Sequence, residues 1–373
     1  MAATMLRSRL FRPLPSTPIR AFTSSTICRE LPSRSPGLGD ITPDGAAAFD
    51  SKQKEFREGL RAAKRQKEQA ESQLRKDSHS HHDSLDAEST TAPDTPPLSN
   101  LLGLGSLSIN ETGAQRQAEQ DTTTKKSGRI SNLIYGTPEG RQLDQEMERS
   151  FSQLLARGKY VHSIVLHDVK PDKVDEYVKT VGEWYPKVAS NPDNKVNLVG
   201  SWRTEIGDCD TFVHIWEYQR YLGYHQSLHN IQHHPEFSDF DHHLKSLINS
   251  KKVSIMQEFS FWPTTPPREL GGVFELRSYT LHPGNLLEWE THWRKGLKAR
   301  KEVMEGVGAW FVQIGDLNTV HHLWQFANLE ERRLRREQSW GVEGWADTVH
   351  KTVPLIQTME SKIMVPMPWS PVR

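Results

Sequence analysis

Residues 199–218 read VGSWRTEIGDCDTFVHIWEY and align without a gap on residues 307–326, which read VGAWFVQIGDLNTVHHLWQF. Nine of the twenty positions are identical, where average residue usage predicts about one identity by chance. Each stretch has two runs rich in β-branched and aromatic residues around a Gly-Asp pair, which predicts a β-hairpin. A repeat of this quality indicates two copies of one structural module in the chain.

The elements predicted around the two hairpins follow the same order. A first strand (Tyr160–Val169 or Val273–Leu281) precedes a helical pattern that opens at a proline, and a polar helical stretch and a last strand (252–262 or 362–367) follow the hairpin. This β-α-β-β-α-β order is that of a ferredoxin-like module. Such a sheet has helices on one face only, so two modules that stack their bare apolar faces would form a dimeric α+β barrel within one chain.

The composition changes along the chain of 373 residues. Residues 51–77 are mostly charged and polar, and residues 78–97 are rich in Ser, His, Asp, Pro and Thr, so they bury too little apolar surface to offset the entropy of ordering. We therefore expect six segments: a transit peptide at 1–29, a disordered or marginally helical linker at 30–130, a helical lead-in at 131–159, the first module at 160–262, a linker at 263–272 and the second module at 273–373.

The N-terminal segment 1–29 has the composition of a mitochondrial address. It contains five arginines and several Ser and Thr, and no acidic residue precedes Glu30, which is typical of mitochondrial transit peptides. Residues 20–25, RAFTSS, also resemble a two-step matrix processing signal, which places the second cut after Arg29. We expect a mitochondrial protein, located in the matrix. An unstructured basic N-terminus without an address is the alternative.

The composition disfavours several classes of function. A formal net charge of zero argues against a large nucleic-acid-binding surface, and no run of eighteen apolar residues exists that would predict a transmembrane helix. Cys28 and Cys209 are too few for a disulfide framework or a four-cysteine zinc site. The sequence contains no nucleophile elbow and no phosphate-binding loop, so we assign no catalytic residue and no metal ligand.

Two histidines and two tryptophans are the candidate binding residues. Alternation along the second strand of each hairpin places His214 and Trp216 on one face, and His322 and Trp324 on the equivalent face. In one hypothesis these residues line a pocket for haem or a flat organic ligand. In the other, the histidines form hydrogen bonds inside a packed core and the protein has no cofactor. The duplication favours the packed core, because a haem site usually needs one proximal ligand.

Two further groups of polar residues have alternative interpretations. The first is a set of histidines at helical spacing: His225, His229, His233 and His234. This spacing suits a metal site, but the second module has arginines in the comparable region, which favours a solvated polar face. The second group is Glu275 and Arg277, which alternate on the first strand of module two. We expect them to form an ion pair rather than to contact an anionic ligand.

Longer motifs give a family resemblance. Residues 273–284, VFELRSYTLHPG, resemble the opening of the NIPSNAP family domain, and residues 314–324, IGDLNTVHHLW, resemble the central hairpin of that family. The C-terminal residues 352–371 and two short motifs of module one are similar as well. The resemblance covers the chain from about residue 160 to residue 373.

The resemblance implies a mitochondrial protein with dimeric α+β barrel domains and without an established enzymatic activity. It also implies a role in mitochondrial quality control, in which animal members of the family bind autophagy adaptors on damaged mitochondria. We therefore expect a non-enzymatic protein that acts through mitochondrial or autophagy protein partners in mitophagy. A haem- or small-ligand-binding barrel, monooxygenase-like in activity, is the alternative. The sequence favours the non-enzymatic role without deciding it, and leaves open whether chains associate into homo-oligomers.

Overall fold

The computed structural model describes residues 34–82, 160–262 and 266–373. The expected transit peptide, the helical lead-in and about half of the expected 30–130 linker lie outside these residues. The chain forms two units that divide after Phe56. Residues 34–56 belong to the same unit as the two modules, whereas the described part of the second unit continues the helix Ala46–His82. This helix lies in the region for which composition predicts a disordered or marginally helical linker.

Eight strands and seven α-helices are described. The strands are β1 (Tyr160–Val169), β2 (Val196–Ile206), β3 (Thr211–Gln219), β4 (Ile248–Glu258), β5 (Val273–Leu281), β6 (Glu305–Ile314), β7 (Thr319–Phe326) and β8 (Ile356–Pro366). The helices are α1 (Ala46–His82), α2 (Val174–Ser190), α3 (Arg220–Gln232), α4 (Phe237–Leu247), α5 (Leu286–Val303), α6 (Leu329–Trp340) and α7 (Trp345–Thr352). None of these described helices is both long enough and apolar enough to cross a membrane.

The eight described strands form one closed antiparallel barrel in the order β1-β3-β2-β8-β5-β7-β6-β4. The first module contributes β4-β1-β3-β2 and the second contributes β8-β5-β7-β6, so both have the strand order of a ferredoxin-like sheet. The pairs β2–β8 and β4–β6 join the two modules. The predicted α+β barrel of two ferredoxin-like modules is confirmed.

The last strand of each module begins earlier than the sequence predicts. β4 begins at Ile248 and β8 at Ile356, rather than at residues 252 and 362, and these two starts are equivalent positions in the alignment of the hairpins. Most side chains in the first half of each strand are exposed and polar, so hydrophobic alternation gives no signal there. The backbone ladders to β1 and β5 extend the strands instead.

Each hairpin contains the same β-bulge. The register shifts between Leu198 and Gly200 in module one and between Gly306 and Gly308 in module two. The extra residue in both cases is the valine of a repeated Val-Gly-X-Trp motif. A bulge bends its strand and increases its twist, and such bends provide the curvature that a closed barrel requires.

The glycine of the same motif gives space to the tryptophan two residues later. A Cβ atom on Gly200 would lie 2.3 Å from the Trp202 ring, and one on Gly308 would lie 2.0 Å from the Trp310 ring. Both indoles therefore fold back over a glycine, where only a hydrogen atom fits. They are buried inside the barrel, with 0% and 2% of their surface exposed.

Side chains from both modules fill the barrel interior. Trp202 lies 5.6 Å from Phe274 of module two, and Trp310 lies 5.9 Å from His162 of module one, measured between ring centroids. Other buried residues of the same cluster are Ile164, Val213, Ile215, Met256, Leu276, Val312, Leu323 and Met364. The outer face of each half of the barrel packs under its own helices, in two further hydrophobic clusters.

Residues 34–56 pack against the barrel. Phe49 is buried with Leu270 and Ala327, and the Gln53 side chain donates a hydrogen bond to Glu305 Oε2 at 2.7 Å. The first turns of α1 are therefore part of the folded unit. The polar composition of this segment did not indicate these contacts, because they come from scattered residues such as Phe49, Gln53 and Asp50, which pairs with Arg335.

We expect Gly308→Ala to destabilise the barrel, because the new methyl group overlaps the Trp310 ring. Overpacking of this kind should lower the free energy of unfolding by about 2 kcal/mol, measured by urea denaturation. Gly39→Ala is the matched control, since a Cβ atom there meets nothing within 4 Å. Equal stability of the two variants would show that the space above Gly308 is not needed.

Candidate functional site

The four candidate binding residues lie in two separate layers. His214 and Trp216 lie on β3 and pack against α2, through Tyr185. His322 and Trp324 lie on β7 and face the helices of module two, where His322 stacks on residues of α5. The structure therefore does not bring the two histidines together in one pocket. That either histidine binds a ligand stays a prediction.

His214 is the centre of a buried hydrogen-bond network in module one. The hydroxyl of Tyr177, on α2, lies 2.8 Å from His214 Nε2 and 2.7 Å from His167 Nδ1. A hydroxyl has one proton, so Tyr177 donates to one imidazole and accepts from the other. Burial, together with the charge of Lys251, lowers the pKa of His167 to about 3, and burial also lowers the pKa of His214 well below its ordinary value. Both imidazoles are therefore neutral at physiological pH.

Both ring nitrogens of His214 have partners. Nδ1 lies 2.9 Å from the Ser201 hydroxyl, and the Ser201 backbone N–H donates to Ser370 Oγ at 2.9 Å. The Ser370 hydroxyl donates in turn to the carbonyl oxygen of Val372 at 2.7 Å. The network thus links β3 to the C-terminal segment. His214 does not fit the role of a haem ligand, because ligation would break a buried hydrogen bond.

His322 has a different environment at the equivalent position. Its ring stacks on Trp293, with 4.0 Å between centroids and 22° between planes, and on Trp289 at 5.4 Å and 18°. Its Nε2 atom is buried and has no hydrogen-bond partner among the described residues. Burial, followed by the charge of Arg277, lowers the pKa of His322 well below its ordinary value. The imidazole is neutral and, unlike that of His214, has a free nitrogen.

A chain of polar side chains lies on β5 of module two. Glu275 is 1% exposed and accepts hydrogen bonds from Arg277 at 2.8 Å, from Arg332 at 2.9 and 2.7 Å, and from Ser361 at 2.7 Å. Arg277 Nε donates to the Tyr279 hydroxyl at 2.6 Å. Burial acts to raise the pKa of Glu275, but the hydrogen bonds and charges of Arg332 and Arg277 outweigh it and lower this pKa to about 2. The ion-pair interpretation of Glu275 and Arg277 is confirmed.

The histidines of α3 and of the turn that follows it make local contacts. His233 Nδ1 lies 2.7 Å from the carbonyl oxygen of His229, and the His234 ring packs edge-on against Trp184 at 5.3 Å. In the part of the chain that the structure describes, no three His, Cys, Asp or Glu residues are placed to hold a metal ion.

One end of the barrel has a small polar cavity that the sequence analysis missed. His162 Nε2 lies 3.4 Å from Glu217 Oε2, and the Asn197 side chain donates to Glu217 Oε1 at 3.2 Å. Glu258 and Trp310 also line the cavity. The lining residues come from five strands of both modules, so only the closed barrel brings them together. Four of these strands, β1 to β4, contribute a single polar residue each, which no local pattern reveals.

The opposite end of the barrel carries both hairpin turns. All neighbouring strands are antiparallel, so β2 and β6, four places apart around the barrel, run in the same direction and their turns lie at the same end. Ile206, Ile314 and Leu317 lie in or beside these turns and are 47%, 58% and 60% exposed. We call these three residues the turn-end surface. Two ion pairs of 2.6 Å flank it: Lys362–Asp208 and Lys252–Asp316.

These features define the class of the protein: an α+β protein whose two ferredoxin-like modules form a dimeric α+β barrel within one chain. The family model NIPSNAP matches residues 163–263 and 274–371, which is one match for each module and more than half of the chain. The protein belongs to the NIPSNAP family.

Similar proteins come from animals and bacteria. Protein NipSnap homolog 1 of Danio rerio is 39% identical over 214 residues, which cover 57% of this chain and 77% of that protein. Protein NipSnap homolog 2 of Homo sapiens is 36% identical over 236 residues, which cover 62% of this chain and 82% of that protein. The crystal structure of a NIPSNAP family protein with unknown function from Agrobacterium tumefaciens is 31% identical, with a TM-score of 0.26, and covers 27% of this chain and 93% of its own.

We expect Tyr177→Phe to destabilise module one, because it leaves a nitrogen of both His167 and His214 unpaired in a buried site. The free energy of unfolding should fall by about 2 kcal/mol, measured by urea denaturation. Tyr185→Phe is the matched control, since the Tyr185 ring also packs on His214, at 4.8 Å. Its hydroxyl makes no side-chain hydrogen bond in the described ranges. If both variants lose the same stability, the Tyr177 hydroxyl does not hold the histidines.

Proposed function

We propose that this NIPSNAP-family protein acts in mitochondria, in the matrix, without enzymatic activity, by binding other proteins in mitochondrial quality control. The arginine-rich N-terminal composition supports the location. The family resemblance supports mitochondrial or autophagy proteins as the partners. The observation that carries the proposal is the turn-end surface.

Three large aliphatic side chains at one end of a closed barrel favour contact with another protein. Isolated exposed apolar residues are common on proteins, but apolar groups gathered at one site and surrounded by charges are typical of interaction surfaces. Ile314 and Leu317 lie three residues apart in one turn and form its apolar site, and Ile206 belongs to the equivalent turn, four strands away around the same end of the barrel. Association would remove these side chains from water, which stabilises a complex by about 25 cal/mol per Å² of apolar surface.

The core chemistry supports a non-enzymatic role. A general acid or base needs an accessible proton site with a pKa near the working pH. His214 is buried and has a partner at each ring nitrogen, and its pKa is far below neutrality because of burial. Its hydrogen bonds connect two strands and a helix, which is a structural role.

We expect Ile314→Ser combined with Leu317→Ser to reduce the recovery of protein partners from intact mitochondria. The experiment is chemical cross-linking in intact organelles followed by affinity purification of the tagged full chain and quantitative mass spectrometry. Partners that bind the turn-end surface should fall about tenfold or more, because removing two anchor side chains at a contact typically costs more than about 1 kcal/mol each.

Leu222→Ser is the matched control, since Leu222 is 69% exposed on α3 and lies outside the turn-end surface. It should leave partner recovery unchanged. Protease treatment of the same organelles, before and after rupture of each membrane, tests the matrix location in parallel. Recovery of only import machinery and chaperones, or an equal loss in both variants, would count against the proposal.

A second candidate function is a haem- or small-ligand-binding barrel with monooxygenase-like activity, at His322. The observation that favours it is the free Nε2 atom of His322 beside stacked indole rings, which distinguishes this site from that of His214. A flat aromatic ligand would find π-stacking surfaces there, and an imidazole nitrogen is a common metal ligand. The stacked indoles already cover the imidazole, so binding would require Trp289 or Trp293 to move.

Titration of the full chain with haemin tests this second candidate. Binding at His322 predicts a shift of the Soret band that is weakened in His322→Ala and retained in His225→Ala, a change at an exposed histidine of α3. The absence of a shift in the wild-type protein would reject the haem version of the hypothesis.

A further inference from the structure

Two arginines pair with a single carboxylate in the helix layer of module two, and two more lie within electrostatic range of it. Arg277 and Arg332 donate hydrogen bonds to Glu275. Arg300, on α5, and Arg336, on α6, lie close enough to Glu275 and its partners for the charges to interact. Burial and then the charge of Arg336 lower the pKa of Arg300 to about 9, and burial and then the charge of Arg277 lower the pKa of Arg336. A pKa of about 9 still leaves the Arg300 guanidinium protonated at neutral pH.

Two of these guanidinium groups have no anionic partner in the described part of the chain. Arg300 is 9% exposed, lies 3.8 Å from the centroid of the Trp345 ring and donates to the thioether sulfur of Met304 at 3.2 Å. A thioether is a weak acceptor. Arg336 is half-buried and makes no side-chain hydrogen bond within the described ranges. Buried charges are normally paired, because an unpaired one loses its hydration without compensation.

Module one shows that the fold does not require these arginines. The first halves of the modules align from Pro171 on Pro283, the proline that opens the first helix of each. In this alignment Arg277 corresponds to Val165 and Arg300 to Val188, and both valines belong to the hydrophobic core of module one. The same positions therefore pack well with apolar side chains. Packing therefore does not explain the buried excess of positive charge at these positions.

We propose that module two binds a small phosphate compound, inorganic phosphate or a phosphate monoester, between β5 and α6, where its oxygen atoms accept hydrogen bonds from Arg300 and Arg336. Four guanidinium groups and one carboxylate leave an excess of three positive charges, which a dianion offsets better than a single carboxylate does. The planar fork of a guanidinium group matches the spacing of phosphate oxygens. Arg300 is recessed beneath the surface, which suits a small soluble ligand. This inference is independent of the proposed function, since it concerns a different face of the barrel.

Thermal unfolding of the full chain in inorganic phosphate tests the proposal. A ligand that binds only the folded state raises Tm as its concentration increases, so Tm should rise with phosphate in comparison with sodium chloride at the same ionic strength. Sodium acetate forms a third arm, which distinguishes a phosphate site from a carboxylate site. Intrinsic tryptophan fluorescence, to which Trp345 beneath the Arg300 guanidinium contributes, gives an independent signal of binding.

Arg336→Gln is the test variant and Arg333→Gln is its matched control on the same helix. Arg336 makes no side-chain hydrogen bond among the described residues that the variant would break, so the variant should fold and, without phosphate, be at least as stable as the wild type because a repulsive charge is gone. Its affinity for phosphate should fall about tenfold or more, since it loses a charge-assisted hydrogen bond. Arg333 is exposed and already paired with Glu330 and Glu337, so Arg333→Gln should bind phosphate as the wild type does.

Three results would overturn the proposal. The first is a wild-type protein whose Tm and fluorescence respond to phosphate no differently from chloride. The second is an equal loss of affinity in Arg336→Gln and Arg333→Gln, which would indicate non-specific binding to a basic helix. The third is acetate binding as strong as phosphate binding, which would assign the site to carboxylates.

Discussion

The closed barrel depends on a steric constraint at two glycines. Gly200 and Gly308 lack a side chain where the rings of Trp202 and Trp310 lie against the backbone. The adjacent bulges bend β2 and β6, which are strands that pair with the other module. The indoles then fill the interior and contact the first strand of the opposite module. The Val-Gly-X-Trp motif therefore determines both the curvature of the sheet and the packing between modules.

Around this common frame the two helix layers have diverged. His214 and His322 are equivalent, but Tyr177 of module one corresponds to Trp289 of module two when Pro171 is aligned on Pro283. A phenol hydroxyl can bond two imidazoles, whereas an indole can stack on one. The first arrangement gives both ring nitrogens of His214 a partner, whereas the second leaves His322 Nε2 without one among the described residues. Three differences accompany this change: Trp289, Ala309 and Tyr279 stand in module two where module one has Tyr177, Ser201 and His167.

The sequence predicts more of the fold than of the candidate site, for physical reasons. Hairpins and helix starts are local, and the repeat supplied the pairing of modules, so the strand order could be predicted. Alternation also placed His214 and His322 on equivalent faces. It could not say which face points to the helices, because β3 and β7 are buried on both faces along almost their whole length. The cavity around His162 and the docking of Phe49 depend on contacts between residues that are distant in sequence, for which one sequence holds no signal.

A pseudo-dimer within one chain permits asymmetry that a homodimer does not. Symmetry places the same residue at both equivalent positions of a homodimer. Here His162 corresponds to Phe274 in the alignment of the first strands, and Glu217 corresponds to Gln325 in the alignment of the hairpins. At these two positions module one carries ionisable side chains where module two carries an apolar and a neutral one, and the arginine cluster belongs to module two alone.

The end of the barrel that carries the hairpin turns is more alike in the two modules. Ile206, Gly207 and Asp208 recur without change as residues 314–316, and both turns expose the isoleucine and place the aspartate in an ion pair with a lysine. The interior polar features are free to differ because each is formed by residues of a particular module. The turns share the exposed isoleucine, the glycine and the paired aspartate, whereas Cys209 and Asp210 are replaced by Leu317 and Asn318. This contrast favours two separate roles. Inside the fold, ligand chemistry would be specific to one module, whereas on the outside both modules would contribute to a contact surface.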